Sequence, residues 1–126
     1  MSQYDFQSPQ AHAIIDYVRE QYGDELEFLW ENFPRDAIWR NPVTRKWYGL
    51  LMAVSRRKLG QDADDEVEII DLLFSRHEAP DFVAGNKNVL PGYHMNKNNW
   101  ITIVLDGSMA TEQILALLDQ SYRLTV

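Results

Sequence analysis

From Trp47 to Val54 the chain reads Trp-Tyr-Gly-Leu-Leu-Met-Ala-Val, without a charge. As a strand, this run is covered on both faces, or lies centrally in its sheet. Either way it calls for a layered domain with apolar partners. A chain of 126 residues can supply them in one core, since a domain this size buries roughly two-thirds of the surface its unfolded form exposes. It contains no cysteine. Disulfide scaffolds, thiolate nucleophiles and Cys-containing zinc sites are therefore excluded.

The flanking segments predict the partners. Ser8 is a good N-cap and Pro9 suits a first helical position. Ala11, Ile14, Ile15, Val18 and Tyr22 then form one helical stripe, and Gly23 stops it. Residues 24–32 read as a linker that packs its aromatics on the core. Ala37–Arg40 reads as a strand, joined by a hairpin-type turn at 41–46 to the apolar run. Residues 55–60 form a basic loop and 62–65 an acidic one. Glu66–Phe74 is a third strand, with Val67 and Ile69 on one side and Ile70, Leu72 and Phe74 on the other. Residues 80–85 suggest one helical turn, and 86–99 a loop. Trp100–Leu105 is a fourth strand. Ser108 can N-cap a last helix whose apolar face is Ile114, Leu117, Leu118 and Tyr122. The order α-β-β-β-β-α predicts one α+β domain over residues 1–126: a mainly antiparallel sheet with both terminal helices on one face.

Charge is unevenly placed. The net value of −7 disfavours long-range attraction to nucleic acid or anionic membranes. Yet Arg35, Arg40, Arg45, Lys46, Arg56, Arg57 and Lys58 crowd residues 35–60 beside one acid, Asp36. One reading is a solvated surface whose cations neighbour acids. The other is a patch for an anionic partner. The acidic residues Asp62, Asp64, Asp65, Glu66, Glu68 and Asp71 lack calcium-loop spacing and read as a solvated loop followed by polar strand positions.

A second candidate site is the loop Pro91-Gly92-Tyr93-His94-Met95-Asn96-Lys97-Asn98-Asn99-Trp100. Its amides, cation, imidazole and aromatics suit recognition, and they equally suit a structural loop anchored by Tyr93 and Trp100. His12, His77 and His94 show no zinc-ligand spacing, so neither a metal nor another cofactor is expected. His94 is the single acid–base candidate for an enzyme; the expectation is a non-enzymatic protein. No apolar run is long enough to span a membrane, and Met1-Ser2-Gln3-Tyr4-Asp5 is unlike a signal peptide. A cytoplasmic location is expected.

Three stretches carry a resemblance. Phe33-Pro34-Arg35-Asp36-Ala37-Ile38-Trp39-Arg40 leading into Lys46-Trp47-Tyr48-Gly49-Leu50-Leu51-Met52, the string Leu90–Lys97 with Trp100–Gly107, and Leu117–Leu124 together resemble the bacterial MmcQ/YjbR-like family, from about Trp30 onward. The pattern departs at Asn99, where many members have His, and at Phe74-Ser75-Arg76, where many carry a Lys-Cys-Asp-Pro-like stretch. The resemblance implies a fold akin to CyaY, the bacterial frataxin, and a DNA-binding role through a double wing of hairpins. In that role Arg40, Arg45 and Lys46 would meet phosphates near the hairpin tip. Arg56, Arg57 and Lys58 would add a second contact, and Asn96, Lys97 and Asn98 would hydrogen-bond phosphates or base edges. The alternative is a protein- or small-ligand-binding domain using Tyr93, His94, Asn96 and Trp100, with no nucleic-acid role.

Overall fold

The apolar run is the second strand of a five-stranded antiparallel sheet. A computed structural model describes residues 4–126; the first three residues of the segment unlike a signal peptide lie outside them. The elements are α1 (Pro9–Tyr22), β1 (Ala37–Arg40), β2 (Trp47–Ser55), β3 (Glu66–Leu73), α2 (Ala79–Gly85), β4 (Leu90–Pro91), β5 (Trp100–Val104) and α3 (Thr111–Arg123). Strand order is β1-β2-β3-β5-β4, each neighbour antiparallel.

The terminal helices pack on one face, as expected. Ile14 and Val18 of α1 and Ile114 and Leu118 of α3 meet Leu51, Ile70, Leu72, Ile101 and Ile103. Ser8 caps α1 through its Oγ, which accepts from the Gln10 and Ala11 N–H groups. Gly23 closes the helix at φ 72°. The cap expected for α3 is corrected. Its N-cap is Ala110, with no side-chain bond. The Ser108 N–H instead donates to Asp106 Oδ1, 3.0 Å away, because the Asp side chain closes its own turn first.

The other face of the sheet is apolar too. Leu50, Met52 and Val54 of β2 lie there with Ile69, Trp100 and Val104. Loops roof this second layer through Trp30, Tyr93 and Met95, joined by Trp47 from the start of β2. The linker at 24–32 thus does pack aromatics on the core, and Glu27 also pairs with Ile38 at the outer edge of β1.

A bulge lets β2 serve both layers at its start. Trp39 pairs with Gly49 but Arg40 with Trp47, so Tyr48 is an extra residue. Trp47 therefore joins the loop-covered layer while Tyr48 turns to the helices. The Tyr48 hydroxyl donates to Asp24 Oδ2 at 2.6 Å, and its carbonyl accepts from the Ser121 hydroxyl of α3 at 2.6 Å. The Trp39 ring lies against Gly49, where a Cβ would come within 3.0 Å of it.

Two acids expected at polar strand positions are buried instead. Glu68 accepts the Tyr4 hydroxyl and the Gln7 and Ser8 N–H groups, tying the start of the chain to β3. Asp71 has no exposed surface and lies on the loop-covered side. Residues 79–85 form a full short helix, and the stretch 86–99 contains the two-residue edge strand β4, too short to be signalled by sequence pattern.

Candidate functional site

The basic block does not gather on one acid-free face. Arg40 pairs with Glu27 at 2.9 Å. Residues Arg56–Leu59, expected as a loop, form a 3-10 turn that folds against the acidic loop. There Arg56 meets Asp65 at 3.0 Å and Asp106 at 3.5 Å, and Arg57 meets Asp64 at 2.6 Å and Asp62 at 3.5 Å. Arg35 pairs with Glu66. The cations of this block that enter no ion pair among the described residues are Arg45, Lys46 and Lys58. Arg45 and Lys46 sit in the β1–β2 turn and Lys58 beyond the far end of β2. A nine-residue strand separates them, about 27 Å along the chain axis.

The second candidate loop is held largely by its own polar groups. Asn96 Oδ1 accepts the Asn98 N–H at 2.9 Å, and the Lys97 ammonium donates to the Gly92 carbonyl at 3.0 Å. Trp100 is only 7% exposed and belongs to the second layer. Gly92 lies against it so closely that a Cβ would come within 2.7 Å of the Trp100 Cβ and 2.9 Å of its carbonyl oxygen. Gly92→Ala should therefore lower the unfolding free energy by about 1–3 kcal/mol, the usual cost of overpacking. A urea midpoint matching the parent's would show that the turn yields freely.

Tyr93 and His94 face an open space. Between the loop 92–97 and residues 30–36 lies a cleft of about 670 Å³ on the helix-free side of the sheet. Trp30, Phe33, Trp47 and Tyr93 supply aromatic surface, and Leu50 and Met52 of β2 line it from the sheet. Trp30 and Trp47 meet edge to face, ring centres 5.8 Å apart. Phe33 is 61% exposed, a large apolar side chain left to solvent at the cleft. His94 adopts φ 61°, a left-handed conformation that few non-glycine residues take, and its ring lies 4.1 Å from that of Tyr93.

Two carboxyl groups accompany the cleft, and neither stands out in the sequence. Asp36 lines it, half-buried, and its side chain receives no hydrogen bond from the described residues. Burial raises its pKa, an effect opposed by the charges of His94, Arg35 and Lys58. Asp71 lies deeper. It pairs with Leu50 across β2 and with Thr102 across β5. The Thr102 hydroxyl donates to Asp71 Oδ1 and accepts the Tyr93 N–H at 2.8 Å, so the carboxyl is linked to the loop backbone. Asp71 Oδ2 is buried and has no partner among the described residues. Desolvation pushes this carboxyl up to about 8, against the opposing pull of the Thr102 hydrogen bond and the Lys97 charge. Among the described residues, no three His, Asp or Glu side chains gather as metal ligands, and no helix is long and apolar enough to cross a membrane.

Sequence reasoning finds Tyr93 and His94 but misses Trp30, Phe33, Asp36 and Trp47 as their neighbours. The one signal for them is the aromatic density of residues 28–33 beside the apolar strand.

The same architecture occurs in solved proteins. A crystal structure of a Pseudomonas syringae protein superposes with a TM-score of 0.85 at 35% identity, covering 91% of this chain and 97% of that one. A Deinococcus radiodurans protein shares the fold at 21% identity, with a TM-score of 0.67 over 94% of this chain and 81% of its own. In sequence, the uncharacterized protein YyaQ of Bacillus subtilis (strain 168) is 40% identical over 112 residues, 89% of this chain and 94% of YyaQ. The uncharacterized protein YjbR of Escherichia coli (strain K12) is 37% identical over 59 residues, 47% of this chain and 42% of that protein. Neither relative has an enzymatic name. The family model for YjbR matches residues 19–124, which include both segments flanking the cleft, and the chain belongs to the YjbR family.

Proposed function

We propose that this YjbR-family protein is a non-enzymatic binding domain whose ligand is a small molecule with a flat apolar part, held in the cleft between residues 30–36 and 92–97. The cleft carries this reading. It has the size of a small-molecule site and is mainly apolar, with a few polar groups at its margin. An exposed aromatic such as Phe33 gains most when a ligand covers it. Titration with 2-phenylethanol, a neutral ring-bearing probe, tests the reading by NMR. The indole N–H signals of Trp30 and Trp47 should shift saturably, while that of Trp39, buried on the helix side, should stay in place. Phe33→Ala should weaken the probe about threefold to tenfold without changing the melting temperature. Shifts that are absent, or as large at Trp39, would dismiss the cleft as a binding site.

The DNA-binding alternative has less support, because Arg40, Arg56 and Arg57 are engaged by acids. What favours it is the exposed pair Arg45 and Lys46 in the β1–β2 turn, which meet no acid among the described residues. A chain of net −7 with its cations so paired should show no saturable duplex binding even at about 50 mM salt, where electrostatic binding is strongest. Saturable binding would reinstate that role if its log–log salt slope falls by about 0.9 for each phosphate that the Arg45→Ala/Lys46→Ala variant no longer neutralises.

A further inference from the structure

We propose that the ligand of this cleft is an organic cation, an amine borne on an aromatic or apolar body, with Asp36 as its counter-charge. The inference rests on the cleft being the binding site and adds the charge of what it takes. Asp36 is the carboxylate that lines the cleft, half-buried and without a hydrogen-bond donor among the described residues. A half-buried carboxylate with no donor from the described residues is free to accept one, and an ammonium group supplies it as a charge-assisted hydrogen bond. The surrounding surface favours the same sign. Trp30, Phe33, Trp47 and Tyr93 line the same cleft, and the negative faces of aromatic rings attract cations.

The protein's own cations leave this role open. Arg35 is bound to Glu66 and lies over the Tyr4 ring, 5.8 Å from its centre. Lys58 and His94 are exposed at the margin, where water screens their charge. Lys97 is tied to the Gly92 carbonyl. An anionic ligand would meet the Asp36 carboxylate, while the cations lining the cleft are either paired, as Arg35 is with Glu66, or exposed to water.

Three probes sharing one ring separate charge from shape: 2-phenylethylamine, 2-phenylethanol and 3-phenylpropionate. Each is titrated into the protein while the Trp30 and Trp47 indole signals are followed. The amine should bind about fivefold more tightly than the alcohol, and the carboxylate more weakly than both. In Asp36→Asn most of the amine's advantage over the alcohol should disappear. In the parent, raising salt from about 20 to about 500 mM should erode the amine's advantage, a check that needs no variant. If the carboxylate matches or exceeds the amine, or the amine's advantage survives both Asp36→Asn and high salt, the cationic assignment is overturned while the cleft stands as a binding site. If none of the three probes moves the indole signals, the cleft reading fails and this inference fails with it.

Discussion

Replacing Trp100 with alanine should lower the unfolding free energy by about 3–5 kcal/mol. Trp100 opens β5 at the centre of the loop-covered layer, in one cluster with Met52, Ile69 and Val104. The β4–β5 pairing fixes the backbone on one side of it, and β3 fixes it on the other. The neighbours therefore cannot collapse into the space a missing indole leaves, and the cavity term adds to the lost burial. For a domain of this size the melting temperature should fall by roughly 10–20 °C. A variant melting with the parent would show that this layer contributes nothing to the fold. Phe33→Ala is the natural control, because Phe33 is also a large aromatic but mostly exposed, and its removal should leave the melting temperature in place.

The second large effect concerns pH. The Asp71 carboxyl, ordinarily ionised above 3.8, holds its proton to about 8 in the folded chain because burial disfavours the anion. The sign follows from proton counting. Below the unfolded value both states carry the proton, and the group adds no penalty. Between the two values the unfolded chain releases the proton and the folded chain keeps it. Stability therefore declines as pH rises through that window, by about 1.4 kcal/mol per pH unit for one such group, and levels off above about 8. Asp71→Asn keeps the shape and cannot ionise. Its melting temperature should track the parent's near pH 4, then diverge upward, with the greatest excess at pH 8 and beyond. Histidines and other acids titrate in both proteins and cancel in the difference. Parallel curves from pH 4 to 9 would mean that the buried carboxyl finds a partner when charged.

The features legible in the sequence share a property: they depend on near neighbours in the chain. Helix α1 is readable because Ser8, Pro9, the apolar stripe and Gly23 are local signals. The two-sided burial of β2 is readable because a run without a polar position has nowhere else to go. What escapes depends on pairing between distant segments. The bulge at Tyr48 exists only relative to β1. Strand β4 is defined by two residues against β5. Asp71 reads as an ordinary polar alternation between Ile70 and Leu72 until loop 92–97 is seen lying over it. One cleft wall comes from a segment that composition marks only as a linker, since Trp30 meets Trp47 across the β1–β2 hairpin. The charge pattern is half legible. Cations beside acids are expected in general, while the specific pairs of Arg56 and Arg57 require the 3-10 turn to fold back on the acidic loop.

The margins of the sheet carry a consequence for self-association. An open strand edge is a template on which another chain can add, the first step toward fibrils. Here one margin, β1, already exchanges both hydrogen bonds at Ile38 with Glu27, N···O 2.9 Å each way. The other margin offers two residues, one of them Pro91, which has no N–H to give. Among the described residues, little of either margin is left for a sister molecule to extend. Phe33 and its neighbours can thus stay open to water while little strand edge is left for strand-by-strand growth.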